Sequence, residues 1–195
     1  DGNDAYYLDH AGDSVSETNA NPASGGSDTV FTYLASHTLA ANVENGRILT
    51  ATAADLAGNG LANLLQGGSG SNRLAGGLGN DTLAGGSGAD FFRFDSLPDA
   101  TTNRDTISDF SVLDDTIELE NAVFASLAAT GTLAAASFRS GAGFSSAADA
   151  DDYLIYDSSS GALYYDASGH TGAGPVQLAT VAAGLALSNL DFLVI

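Results

Sequence analysis

Asn63, Asn72, Asp81 and Asp90 stand nine residues apart, and each is followed two positions later by a large apolar residue: Leu65, Leu74, Leu83 and Phe92. Glycine crowds the positions before them. From Gly58 the chain reads as the rows GNGLANLLQ, GGSGSNRLA, GGLGNDTLA and GGSGADFFR, with a carboxylate or amide at position six of each. Glycine supplies positive φ and close backbone approach, so positions one to six read as a turn. The last three positions read as a short strand with its middle side chain inward. A short fixed period of this kind means repeated coils. Two rows, 18 residues, complete one coil, and successive coils stack at about 4.8 Å. Position-six side chains one coil apart then share an edge, Asn72 with Asp90 and Asn63 with Asp81. The chemistry this offers is cation binding by oxygen. Carbonyls from Gly68, Gly70, Gly77, Gly79, Gly86 and Gly88 line the gaps between stacked turns, and the position-six side chains project into the same gaps. Six to eight hard oxygen ligands in a flexible cage suit Ca²⁺, whereas Mg²⁺ demands tighter octahedral geometry and holds its water. Each edge pairs one carboxylate with one neutral amide, so the sites are expected to be weaker than Asp-Asp pairs, in the range of roughly 10⁻⁴ to 10⁻³ M common to extracellular calcium modules.

The whole chain is composed for that chemistry. Its 195 residues carry 20 Asp and four Glu against five Arg and no Lys, a formal charge of −19. Nucleic-acid binding, which needs Lys and Arg on phosphates, is excluded, and attraction of cations is favoured. Disorder is disfavoured because 44% of the residues are hydrophobic, seven Tyr and nine Phe among them. Without Cys there are no disulfides or thiolate metal sites. No uninterrupted apolar run reaches membrane-spanning length.

These rows resemble the nonapeptide GGxGxDxUx of RTX (repeats-in-toxin, haemolysin-type calcium-binding) proteins, with GGLGNDTLA and GGSGADFFR as two adjacent full matches. The resemblance implies an all-β fold, a right-handed parallel β-roll or β-solenoid with several Ca²⁺ ions in its Gly-rich turns, closed by a C-terminal β-rich cap. Residues 1–57 are expected to form degenerate coils, 58–94 the nonapeptide roll, and 95–195 the cap. Upstream, Asp4, Asp13 and Asp28 keep the phase, each two residues before an apolar side chain, and are candidate ligands. Leu39 and Ile48 should face inward. Residues 17–23 read as an inserted loop, and Asp9 and Glu17 fit a solvated surface equally well. Asp1-Gly2-Asn3-Asp4 has the form of a turn whose first two glycines are missing, so the chain reads as a fragment of a longer protein. No Met, basic segment or apolar leader opens it, so no signal peptide is expected.

After Phe94 the period ends. Residues 103–121 alternate, with Ile107, Phe110, Ile117 and Leu119 facing one way, and read as strands of the cap. This segment resembles the one following the repeats in type I secreted RTX proteins, where the cap can complete a last calcium site. On that resemblance Asp105 and Asp109 are candidate ligands. Residues 121–138 are expected to hold a short helix or two, interrupted by Gly131 and Thr132. YLIYD and ALYYD around SSSG read as a β-hairpin. The terminal DFLVI resembles the acidic-then-apolar tail of type I substrates, which makes the secretion machinery an expected partner.

No catalytic constellation emerges. His10, His37 and His170 lie far apart in no metal-binding spacing, and no GxSxG elbow occurs. The expectation is therefore a non-enzymatic, extracellular calcium-binding module that folds on Ca²⁺ after type I secretion and serves as the folding, export and stabilising region of a larger protein. Two alternatives remain: a glycan- or protein-binding module of a surface adhesin, using Tyr153, Tyr156, Tyr164 or Tyr165, and an accessory C-terminal domain of a secreted hydrolase or epimerase.

Overall fold

A computed structural model describes residues 2–19 and 25–195. Eleven short strands come first: β1 (Ala5–Leu8), β2 (Thr29–Thr32), β3 (Ser36–Thr38), β4 (Asn45–Ile48), β5 (Ala54–Ala57), β6 (Leu64–Gln66), β7 (Asn72–Ala75), β8 (Thr82–Ala84), β9 (Phe91–Phe94), β10 (Asp105–Ile107) and β11 (Thr116–Leu119). From β3 onward, apart from the gap filled by turns, the chain feeds two sheets in alternation. One sheet runs β1-β2-β4-β6-β8-β10 and the other β3-β5-β7-β9-β11, every pair parallel. Two largely parallel sheets in an all-β chain are consistent with a β-roll. Strands of three or four residues suffice because each places one or two inward side chains on the neighbouring coil.

Those inward side chains fall into two rows. Val30, Leu65, Leu83 and Ile107 line one sheet, and Leu56, Leu74, Phe92 and Ile117 the other, all buried. Gly46 interrupts the first row between Val30 and Leu65. Its missing side chain leaves room that Leu39 and Leu56 fill, with their methyl groups 3.0–3.1 Å from where a Cβ would stand. Leu39 and Ile48 are both buried, as the sequence predicts.

The remaining strands close the far end: β12 (Gly131–Thr132), β13 (Phe138–Gly141), β14 (Leu154–Asp157), β15 (Ala162–Tyr165), β16 (Val176–Thr180) and β17 (Phe192–Val194). β16 extends the first sheet beyond β10, followed by the antiparallel β15 and β14, and β17 extends the second beyond β11. These strands thus continue both sheets. The expected hairpin forms, with β14 and β15 antiparallel around residues 158–161. The helix expected within 121–138 does not: turns lead to β12, which pairs with β17, and then to a 3-10 turn at Ala135–Ser137. Gly131 at φ 109° breaks the helical path and turns the chain into that pairing. The expected loop at 17–23 lies partly outside the described residues, as does Asp1.

Candidate metal centre

Position-six side chains gather along two edges, one beside the start of each sheet's strands. On the first edge the Asp4 N–H donates to Asp28 Oδ1 (2.8 Å), Asp28 N–H to Glu44 Oε2 (2.9 Å), Asn63 N–H to Asp81 Oδ1 (2.7 Å) and Asp81 N–H to Asp105 Oδ1 (3.0 Å). On the second, Asn72 N–H donates to Asp90 Oδ1 (2.8 Å) and Asp90 N–H to Asp115 Oδ1 (2.9 Å). In each of these pairs a backbone amide at the edge is held by a carboxylate one coil downstream. One carboxylate oxygen is spent on the ladder, and the other decides what the turn can do.

At Asp81 and Asp90 that second oxygen has no hydrogen-bond partner, although each residue is only 1% exposed. A buried, unpaired carboxylate oxygen is costly, and a cation or proton is what satisfies it. Each lies against a glycine where no side chain fits, since a Cβ on Gly76 or Gly85 would collide with Asp81 Oδ2 or Asp90 Oδ2. The stacked turns meet backbone to backbone. The carbonyl oxygens of Asn59, Leu61, Gly68 and Gly70 face Gly77, Gly79, Gly86 and Gly88 of the next turn, so closely that Cβ atoms there would overlap them. Buried carboxylate oxygens beside close-packed carbonyls make a donor set that fits a hard cation. Electrostatics agree. Burial pushes the Asp81 carboxyl up to about 6 and the Asp105 carboxyl up to about 7, and also raises Asp90 and Asp115.

The other expected ligands fall into distinct surroundings. Asp4 and Asp28 lie on the first edge, and Glu17 joins them, with ligand oxygens of the three within 4.8 Å of one another. Tyr6 Oη donates to Glu17. Asp13 is elsewhere: its Oδ2 accepts from the Asp9 and His10 N–H groups in an exposed turn after β1. Asp109 reaches back to accept from Gly85 N–H and Gly86 N–H (both 2.9 Å), which places it beside Asp90. Asn63 and Asn72 are on the edges, but their amides are already bonded to backbone: Oδ1 accepts from Asn59 N–H (2.8 Å) and Gly68 N–H (2.7 Å), respectively.

Sequence reading missed Glu44 and Asp115, both ladder members. Glu44 follows Asp28 by 16 residues and Asp115 follows Asp90 by 25, so neither obeys the 18-residue coil. The signal available was local: Asp115, like Glu44, immediately precedes a strand, as Asp81 and Asp90 do.

Two largely parallel sheets with buried carboxylates in stacked glycine turns have the form of a cation-binding repeat module. Residues 57–92 match the RTX calcium-binding nonapeptide repeat in four copies, so the chain carries haemolysin-type RTX repeats, which bind Ca²⁺, over that stretch. A search of curated proteins gave no match to the chain. Among the described residues no helix is long and apolar enough to cross a membrane.

Proposed function

We propose that the chain is a non-enzymatic module that folds into a right-handed β-roll on binding several Ca²⁺ ions, and that it serves as the folding, export and stabilising region of a larger extracellular protein, with residues 1–57, 58–94 and 95–195 as degenerate coils, repeat roll and cap. The observation that carries this reading is the pair of buried oxygens without partners, Asp81 Oδ2 and Asp90 Oδ2, on glycine turns of an RTX repeat. Bound Ca²⁺ supplies the positive charge those oxygens lack. The chain's own residues do the rest: glycines bring the turns into contact, the ladder fixes one carboxylate oxygen, and the apolar rows stack the coils. Without the ion, a charge of −19 and glycine's large ordering entropy oppose folding, so binding energy becomes folding energy. In a calcium-poor cytosol the chain would stay threadable for a type I exporter, and outside it would fold.

The C-terminal tail contributes to this switch. Ile195 N–H donates to Leu119 O, Phe192 and Val194 are buried, and Asp191 closes a capping box with Ser188. The proposed secretion segment is therefore accessible only when the cap is unfolded. The adhesin alternative loses much of its proposed hairpin surface, because Tyr156 and Tyr165 are core residues.

The test is far-UV circular dichroism of the EDTA-stripped chain during calcium titration, with magnesium as control. A cooperative gain of β signal with calcium but not magnesium is expected. A chain already folded in EDTA and indifferent to calcium would refute the mechanism.

A further inference from the structure

The four repeat turns adopt two arrangements, and the difference coincides with Asn versus Asp at position six. In the turns ending at Asn63 and Asn72, the N–H four residues earlier donates into the turn's own side chain: Asn59 to Asn63 Oδ1 (2.8 Å) and Gly68 to Asn72 Oδ1 (2.7 Å). The amide NH₂ groups are also used. Asn63 Nδ2 donates to Val43 O (3.1 Å) and Glu44 O (3.2 Å), Asn59 Nδ2 to Ala40 O and Val43 O (both 2.8 Å), and Asn72 Nδ2, at a longer 3.4 Å, to Ala54 O. These acceptors are carbonyl oxygens of the coil above, the same kind of group that would face a cation.

In the turns ending at Asp81 and Asp90 the corresponding residues are Gly77 and Gly86, both at φ 91°. Neither donates to its own position-six side chain, and the Gly86 N–H goes to Asp109 Oδ2. Asp81 Oδ2 and Asp90 Oδ2 are left without donors.

We propose that Asn63 and Asn72 replace the cation instead of binding it, so that the first two repeat turns are closed by their own amides and only the turns of Asp81 and Asp90 take up an ion. An amide side chain offers what neither a carboxylate nor an ion offers alone: an acceptor for the turn's N–H and donors for the neighbouring carbonyls. Aspartate at either position would remove the donors and add a charge, converting a self-satisfied turn into one that needs a cation. The inference rests on the calcium reading above and refines it by assigning which turns are loaded.

The experiment counts calcium bound per chain by equilibrium dialysis at saturating calcium, for the wild type, Asn63→Asp, Asn72→Asp, Asn63→Ala and Asp90→Asn. Each Asn→Asp variant is expected to bind about one more ion than wild type and Asp90→Asn about one fewer, with Asn63→Ala unchanged. If wild type binds calcium while Asn63→Asp binds no more, or Asn63→Ala binds less, the amide is a ligand and the proposal is overturned. If wild type binds none, the calcium reading fails and this refinement falls with it. Amide hydrogen exchange of calcium-loaded wild type gives a check that no substitution can confound. The Asn59 and Gly68 N–H groups should be protected and the Gly77 N–H should exchange faster, and equal protection at all three would also overturn the assignment.

Discussion

Replacing Asp105 by Asn should act in opposite directions with and without calcium. Asp105 is buried where the roll meets the cap, and its Oδ1 accepts from the Asp81 N–H (3.0 Å). Burial raises its carboxyl from the ordinary 3.8 to about 7, with the Asp81 charge adding to the rise. That is about three pH units, and at about 1.4 kcal/mol per unit the ionised form is disfavoured in the metal-free fold by about 4 kcal/mol. For a carboxyl raised on folding, the associated stability is fully present below pH 3.8 and is lost as pH rises through about 7. Asparagine keeps the acceptor for the Asp81 N–H and cannot ionise. In EDTA the variant should therefore match wild type near pH 4 and exceed it by about 2–4 kcal/mol at pH 8, the lower figure allowing for an NH₂ group without a ready partner. The assay is far-UV circular dichroism in EDTA from pH 4 to 8, with Asp9→Asn, the same charge change at an exposed residue, as the control for net charge. The variant should hold its β signal to higher pH than either wild type or control, yet need more calcium in a titration at pH 7. A variant that is less folded than wild type in EDTA at pH 7 to 8 would refute the reasoning, since the buried charge would then not be what opposes metal-free folding.

Gly86→Ala should abolish or strongly weaken calcium-driven folding, because its φ of 91° disfavours a side chain and a Cβ there would strike the Gly68 carbonyl; an unchanged calcium midpoint in the dichroism titration would count against the stacked-turn geometry. Arg73→Ala should destabilise the calcium-loaded chain by about 2–4 kcal/mol, somewhat under the usual loss for breaking a buried pair because the arginine is partly exposed. Arg73 makes a two-pronged bond to Glu118 (2.8 and 3.0 Å), which is 2% exposed and would be left as an unpaired buried carboxylate, and urea unfolding in saturating calcium reads the loss. The cap should respond to acid in the opposite sense from the metal-free roll: hydrogen bonds from Ser159, Ser160 and Gly143 hold the Asp157 carboxyl well below its ordinary value. Its contribution is thus present above pH 3.8 and is lost as pH falls below it, so Asp157→Asn should flatten acid unfolding of the calcium-loaded chain, and an unaltered acid profile would argue otherwise.

What the sequence made legible followed from the fixed nine-residue period. A side chain two places after position six must point inward if the turn is six residues long, and Leu65, Leu74, Leu83 and Phe92 are all buried. The same arithmetic placed Asn63 with Asp81 and Asn72 with Asp90 on separate edges, where the backbone N–H of each Asn donates to the carboxylate of its partner. Strands β10 and β11 were readable for a different reason, the alternation that leaves Ile107, Ile117 and Leu119 inward. The 121–138 segment misled because Ala and Leu favour helix locally, whereas β17 offered an unpaired edge that β12 occupies. That preference is tertiary and has no local signature.

The polar ladder marks the deeper limit. Period gives which residues share an edge, but a carboxylate has two oxygens and their separate partners depend on backbone conformation inside the turn. Gly68 and Gly86 hold the same place in rows that both open GGSG, yet one donates to its own position-six side chain and the other to Asp109, 23 residues downstream. The two rows diverge from position five onward, and at position six they carry Asn72 and Asp90. An amide can satisfy both the N–H below and the carbonyls above, so its turn closes; a carboxylate lacks donors, and its turn remains in the left-handed form that glycine permits. On the proposal above, position six selects the conformation of the turn as well as its charge. A count of consensus rows overstates the calcium sites of such a chain whenever asparagine stands at that position and its NH₂ group finds the carbonyls of the neighbouring coil.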